Sequence, residues 1–167
     1  MRSALAGVSV TLSLIMAAGM AGTFFGFTTG VMPGLNAAKP QSAIDAMQGI
    51  DQKIQNPLFV AMFTLVPVVA VVAGVLLLTM DRKPAALLFF VAAAVYFLGA
   101  FVPTVAVHIP MNNALDAVEI PADTAEAAKI WSDHSGRWTA WNTARAVFSW
   151  ASVLAMSLGV YFWGKDA

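Results

Sequence analysis

Four long apolar segments constrain the fold most strongly; they span residues 5–30, 58–80, 84–107 and 138–164. A helix needs roughly 20 apolar residues to cross the hydrocarbon core of a bilayer, and each segment meets this length. Only 11% of the 167 residues are charged, well below the level of about 25% in soluble domains. Because the runs do not alternate, they do not fit the strands of a membrane β-barrel. The sequence therefore predicts an all-α, multi-pass integral membrane protein whose single domain, residues 1–167, is a four-helix bundle.

The first segment has an alternative interpretation as a cleaved signal peptide. Arg2 precedes the apolar run, and small residues follow at positions 17–19. The run is longer than the apolar core of a typical signal peptide and continues through Phe27. We therefore expect this segment to be retained as a membrane span.

The distribution of positive charge predicts the orientation of the bundle. The link at residues 81–84 is so short that the second and third spans form a hairpin, while the links at 33–56 and 108–137 are long. With four spans, both termini lie on the hairpin side. That side concentrates Arg2, Arg82, Lys83 and Lys165 in few residues. The positive-inside rule therefore predicts an inner or plasma membrane protein with both termini in the cytoplasm.

Both long links contain helix signals. In the first link, one helix face carries four apolar residues: Ala43, Met47, Ile50 and Ile54. Asn56 and Pro57 then form a cap and a first helical position for the second span. In the second link, Asp123 caps a further helical stretch. We expect two short helices that cover the non-cytoplasmic mouth of the bundle; the alternative is that they lie at the membrane interface without covering it.

The first span carries a glycine at every fourth position, at Gly22, Gly26 and Gly30. Small residues at this spacing form a groove that allows close approach of another helix. The sequence therefore predicts that the outer half of this span packs tightly against a neighbour.

The fourth segment carries polar side chains near its start. A helix that begins near Trp138 gathers six residues on one face: Trp138, Trp141, Asn142, Arg145, Ser149 and Ser152. Because a charge within a span is costly, such residues usually face a cavity or a partner. We therefore consider a functional cavity around Arg145. The alternatives are that Arg145 snorkels to the interface, pairs with Asp51, Asp116 or Asp133, or binds carbonyl groups near Pro103 and Pro110.

The outer end of the third span supplies a candidate acid–base group. His108 adjoins this span, and histidine exchanges protons near neutral pH. Pro110 lacks an N–H group and disfavours helix at Ile109, so the helix is expected to break there. The alternative for His108 is a purely structural, hydrogen-bonded role.

Several classes of function lack their usual residues. The chain has no cysteine and only two histidines, His108 and His134, so we expect no metal site and no cofactor. A haem held by both histidines is the remaining alternative, although His134 lies in polar sequence that we interpret as a loop. The net charge is zero, which gives no indication of nucleic-acid binding.

Four motifs in this order resemble the anthrone oxygenase-like family of small four-helix membrane proteins. They are a glycine-rich first span that ends at residues 30–33, Asn56–Pro57 before the second span, residues 108–113 (HIPMNN) after the third, and residues 138–145 (WTAWNTAR) at the start of the fourth. The resemblance covers nearly the whole chain. It implies oxidation of an anthrone, a tricyclic polyphenol, to the anthraquinone by O₂ without a recognised metal or flavin.

The resemblance also suggests roles for individual residues. His108 would remove the acidic C–H proton, and Arg145 with Asn142 would stabilise the resulting oxyanion. The binding residues expected around a flat aromatic substrate are Asn112, Asn113, Trp138, Trp141, Phe24 and Phe27. The tryptophans could instead anchor the protein at the membrane interface. The competing functions are a non-catalytic scaffold or accessory subunit, a binder of a quinone-like or lipid ligand, and a small carrier; self-association into a homo-oligomer is also left open.

Overall fold

The computed structural model describes residues 1–165, and these residues form five helical stretches without a strand. The first span consists of α1 (Arg2–Gly26), a π-helical turn (Phe27–Val31) and α2 (Met32–Ala37). The third consists of α5 (Lys83–Tyr96), π-helical turns at Phe97–Phe101 and Thr104–His108, and α6 (Ile109–Asp116). The other stretches are α3 (Pro40–Ile54), α4 (Pro57–Thr79) and α7 (Thr124–Lys165).

Four of these stretches are long and apolar enough to cross a membrane: Arg2–Ala37, Pro57–Thr79, Lys83–Asp116 and Thr124–Lys165. Each packs against two others, so that α1, α4, α5 and α7 form a closed ring. The short link between α4 and α5 turns at Asp81, whose φ of 60° is left-handed. The predicted all-α bundle with four spans is therefore confirmed.

Two apolar clusters hold the bundle together. The inner cluster lies between the four spans and includes the fully buried Phe89, Tyr96 and Met156. The outer cluster joins α3 to α6 and α7 through Ile44, Leu115 and other residues. Burial of this apolar surface stabilises α3 against the end of the bundle, at about 25 cal/mol per Å² removed from water.

The outer helix α3 confirms the helix predicted in the first link. Ala43 and Met47 are buried as expected, and Ile50 and Ile54 are half-buried on the same side. The predicted cap is also present, since the Phe59 amide donates to Asn56 Oδ1 over 3.0 Å. Gln48 Nε2 donates to the carbonyl oxygens of Leu115 and Val118, which ties α3 to the end of α6.

The predicted helix break at Ile109 and Pro110 is wrong, because the third span continues to Asp116. A π-helical turn at Thr104–His108 ends two residues before Pro110. Proline normally clashes with the carbonyl group four residues earlier, and the wider π turn relieves that clash without ending the helix. The span is therefore reshaped here rather than broken, and His108 lies in the reshaped turn.

The predicted start of the fourth helix near Trp138 is also wrong. Asp123 caps a helix, as expected, through a 2.8 Å hydrogen bond from the Glu126 amide to its carboxylate. That helix then continues through His134 and Trp138 to Lys165 without interruption. Residues 125–129 (AEAAK) are good helix formers, and packing of the buried Trp131, His134 and Ser135 supports the helix through the weaker formers at 132–136. The change in hydropathy therefore marks where the apolar part begins and not where the helix begins.

The glycine stripe of the first span does not pack against a neighbouring helix. A Cβ atom placed on Gly22, Gly26 or Gly30 would meet nothing within 4 Å. Close packing occurs instead at Gly99, where a Cβ would collide with the Phe148 side chain, and at Gly159. The spacing of the glycines alone did not indicate which face of the first span points into the bundle.

Candidate functional site

A cavity of about 330 Å³ lies between the inner and outer apolar clusters. Its walls come from all four spans, and α3 contributes Met47, Ile50, Asp51 and Ile54. Val60, Val105 and Ile109 line the cavity and are also exposed on the apolar outer surface of the bundle. The cavity therefore extends to the lipid-facing side between α4 and the third span, while α3 forms a wall beyond the spans.

The wall of the cavity is mainly aromatic. Its aromatic residues are Phe24, Phe27, Phe59, Phe63, Phe101 and Trp138. Phe63 and Phe101 stack with their ring centroids 5.3 Å apart, and Phe27 packs on Trp138 at 5.6 Å. Because flat rings prefer offset or tilted contacts with other rings, this lining suits a planar aromatic ligand.

Arg145 is a buried cation without an acidic partner. It is 6% exposed, and neither ion pair found within residues 1–165 includes it. Its Nη1 donates to Thr104 Oγ1 over 2.8 Å, and its Nη2 donates to Asn142 Oδ1 over 2.8 Å. The guanidinium carbon also lies 4.5 Å from the centre of the Phe24 ring. Hydroxyl, amide and ring contacts therefore stabilise the guanidinium without neutralising its charge.

These contacts exclude the alternatives for Arg145, since its two hydrogen bonds go to side chains and not to carbonyl groups near Pro103 and Pro110. It does not snorkel to a surface, and within the described part of the chain it pairs with none of the candidate acids Asp51, Asp116 and Asp133. Its Nε has no hydrogen-bond partner. Arg145 therefore presents an uncompensated positive charge at the cavity wall.

Asn142 holds Arg145 in place. Its Nδ2 group donates to the Phe24 carbonyl over 2.7 Å and to Thr28 Oγ1 over 2.8 Å. Because both amide hydrogens are used within the protein and Oδ1 accepts from Arg145, Asn142 has no donor left for a ligand. It links α7 to the first span and fixes the orientation of the guanidinium.

His108 lies on the same wall. It is 2% exposed, and its Nδ1 lies 3.4 Å from the Pro103 carbonyl oxygen. The ring also lies against the main chain of Trp138 and packs edge-on against the Trp138 indole, with centroids 5.1 Å apart. Its Nε2 has no hydrogen-bond partner. With Nδ1 protonated toward Pro103, Nε2 would be an unshared acceptor, as a general base requires.

A second polar group lies at the outer end of the cavity. Trp138 Nε1 donates to Asn112 Oδ1 over 2.8 Å, and Asn112 Nδ2 donates to Asp51. Gln55 Nε2 also donates to Asp51, over 3.1 Å. This chain of hydrogen bonds joins α3, α6 and α7. Burial raises the pKa of Asp51, and the nearby carboxylate of Asp116 raises it further.

The structure brings together most of the residues chosen from the sequence. His108, Arg145 and Asn142 line the cavity, as do five of the expected binding residues: Asn112, Asn113, Trp138, Phe24 and Phe27. Trp141 is different, because it is 40% exposed and does not line the cavity. Deeper in the bundle, Ser149 and Ser152 are buried, and Ser152 donates to the Ala92 carbonyl over 2.9 Å.

Asp51 and Thr104 are two polar residues of the cavity wall that sequence reasoning did not assign to the site. Asp51 was considered only as a partner for Arg145, because a carboxylate in a link gives no sign that its helix folds over a cavity. Thr104 precedes His108 by four residues, which places both on one side of a helix. That spacing was the available signal.

The two histidines do not lie in a common site. His134 is buried within α7 beside Trp131, so its assignment to a loop is wrong. It does not line the cavity. Across residues 1–165, no group of three or more histidine, cysteine, aspartate or glutamate side chains is arranged to hold a metal ion.

Comparisons with known proteins place the chain in a family. No curated protein and no solved structure shows significant similarity to it. The family model described as anthrone oxygenase matches residues 56–155, which include the second and third spans and most of the fourth. They contain His108, Asn142 and Arg145. The match covers more than half of the sequence, and the chain therefore belongs to the anthrone oxygenase family.

Proposed function

We propose that the cavity binds a flat, hydroxylated, anthrone-like substrate and oxidises it with O₂ to the corresponding quinone. The single observation that carries this proposal is that the uncompensated cation Arg145 and the unshared His108 Nε2 line one aromatic cavity. Family membership suggests the reaction, and the cavity extends to the apolar surface from which a poorly soluble substrate would enter.

The first step is the removal of a proton from carbon. An anthrone has an acidic C–H group because its conjugate base is an aromatic phenolate-like anion. His108 Nε2 accepts this proton, and Arg145 stabilises the negative charge that develops on the ring oxygen. Asn142 acts through Arg145, since its own hydrogen-bond donors are occupied.

The substrate then supplies the electrons for the reaction with O₂. The carbanion transfers one electron to O₂, and the two radicals combine to give a peroxide on the former C–H carbon. Loss of the second hydrogen from that carbon, with cleavage of the O–O bond, gives the ketone and water. The sum is one anthrone and one O₂ to one anthraquinone and one water. The substrate supplies all four electrons that O₂ accepts, and the mechanism assigns no step to a metal or flavin.

The scaffold and ligand-binder alternatives make different demands on the site. A scaffold that pairs Arg145 with an acid across a helix interface needs no cavity, whereas here the cation borders about 330 Å³ of space. A binder of a quinone-like lipid would use the same aromatic wall but would consume no O₂. We therefore favour oxidation, and O₂ uptake separates it from simple binding.

The test measures O₂ uptake by the purified protein in lipid nanodiscs with a hydroxylated anthrone. The wild type should exceed the uptake of empty nanodiscs, and His108→Gln should lower the rate by about 100-fold or more. His134→Gln is the matched control, because it alters the other buried histidine, which lies outside the cavity. Equal loss in both variants, or a wild-type rate equal to that of empty nanodiscs, would refute the proposal.

A further inference from the structure

Asp51 is a buried carboxyl group that the steps above do not use. It lies on α3 and lines the cavity, and it is 6% exposed. Asn112 and Gln55 donate to its two oxygens. Within residues 1–165, the ion pairs are Lys83–Asp81 and Lys129–Asp133, so neither supplies a cation to Asp51. A buried carboxylate with amide partners alone is poorly stabilised in its charged form.

The surroundings of Asp51 favour a bound proton. The Asp116 carboxyl group of α6 lies within interaction distance, and two neighbouring carboxyl groups cannot both ionise easily. From α7, His134 lies near Asp116, and α2 carries no titratable residue. Asp116 is exposed and is the last residue of α6.

The position of Asp51 along the cavity is also significant. Thr104 holds Arg145, His108 follows four residues later, and Asn112 holds Asp51 after another four. The cation, the base and the carboxyl group therefore follow one another along one side of the third span, with His108 in the middle. A substrate whose oxygen contacts Arg145 and whose C–H faces His108 would direct the new C–O bond toward the Asp51 end.

Resting on the proposed function, we propose that Asp51 is a second catalytic acid, which protonates the oxygen that leaves when the peroxide becomes the ketone. His108 first returns its proton to the peroxide anion to give the hydroperoxide. His108 then removes the second C–H proton; that electron pair forms the C=O bond and the O–O bond breaks. The departing oxygen takes the Asp51 proton and leaves as water. The proton on His108 finally restores Asp51, so protons and electrons balance.

The experiment compares O₂ uptake with quinone formation in single-turnover, rapid-quench measurements. Asp51→Asn should still take up O₂, because His108 and Arg145 are intact, while quinone formation becomes about 100-fold slower and the hydroperoxide accumulates. Asp51→Glu should partly restore quinone formation. Asp45→Asn is the matched control, since Asp45 is an exposed aspartate on the same helix. Melting temperatures of all variants test for altered folding.

The pH profile provides a readout that a structural role would not change. The acid must carry its proton, so quinone formation should decline as the pH rises through the raised pKa of Asp51. Asp51→Asn should lack this decline. Asp116→Asn removes the neighbouring negative charge, lowers the pKa of Asp51 and should move the decline to lower pH.

The possible failures are distinguishable. If Asp51→Asn forms quinone at the wild-type rate, or if Asp116→Asn leaves the pH profile unchanged, the role of Asp51 is refuted while the oxidation itself stands. If the wild type shows no protein-dependent O₂ uptake, both proposals fail together.

Discussion

Arg145 shows how a single residue can indicate a function in a membrane protein. Burying a guanidinium costs several kcal/mol even when local contacts compensate in part. Here Thr104, Asn142 and the Phe24 ring supply those contacts, and no acid does. Partners of this kind hold the cation in a fixed position and keep its charge available, as stabilisation of an oxyanion requires.

Replacement of Arg145 should separate catalysis from stability. Arg145→Met should lower kcat by about 10²–10³-fold, the effect of losing one preorganised oxyanion donor. Its melting temperature should stay the same or rise, because the variant no longer buries an unpaired charge. Arg145→Lys should recover activity only in part, since lysine lacks the planar fork. A variant that melts early but turns over normally per folded molecule would contradict the catalytic role.

Replacement of Asn142 should lower both the stability of the protein and its turnover. Asn142→Ala removes three hydrogen bonds, two of them fully buried, that join α7, Arg145 and the first span. We expect a loss of about 2 kcal/mol in unfolding free energy, together with slower turnover because Arg145 loses its position. Thermal melting and O₂ uptake measure the two effects. Asn113→Ala, at the exposed rim, should melt like the wild type; equal destabilisation in both variants would argue against this account.

At the scale of helices, the sequence predicted the spans better than their boundaries. Continuous apolar runs require membrane helices, so the existence of four spans followed from composition and length. The breaks expected at Pro110 and near Trp138 did not occur, because a π-helical turn accommodates the proline and because helix α7 extends through polar sequence. Such features depend on backbone geometry that hydropathy does not report.

The glycines test the packing of the helices. Gly99→Ala should destabilise the bundle by about 1–3 kcal/mol, because its Cβ would overlap the Cβ and Cγ atoms of Phe148. Gly22→Ala should leave stability unchanged or raise it by up to about 1 kcal/mol, since that position is open and alanine favours helix. Thermal unfolding in detergent measures both. Comparable losses at the two positions would show that Gly22 lies in a contact.

At the scale of the whole molecule, the candidate site could be predicted only in part. His108, Asn142 and Arg145 carry rare polar chemistry in apolar sequence, so they could be recognised without coordinates. Asp51 and the aromatic residues of α4, such as Phe59, could not, because their role depends on how α3 folds over the spans. Helical spacing placed Trp141 on the same face as Trp138, because residues three apart lie about 60° from each other around a helix. That spacing does not show where the edge of the cavity lies.

The orientation of the bundle in the membrane remains a prediction. Positive charges lie near both termini and in the 81–84 link, and they favour a cytoplasmic location for the termini and the link. Reporter fusions at residue 167 and within the link should therefore report a cytoplasmic location, and a reporter inserted before Pro40 should report the opposite side. An external C-terminal reporter would show the opposite orientation, with α3 on the cytoplasmic side.

The most direct test of the central claim follows quinone formation from a hydroxylated anthrone under ¹⁸O₂. The purified protein in nanodiscs, treated with a chelator, should form quinone at a rate proportional to its concentration and well above that of empty nanodiscs. Each quinone should contain one ¹⁸O atom, and His108→Gln should return the rate to the background. Quinone formation that is independent of the protein, or that the chelator abolishes, would contradict the account.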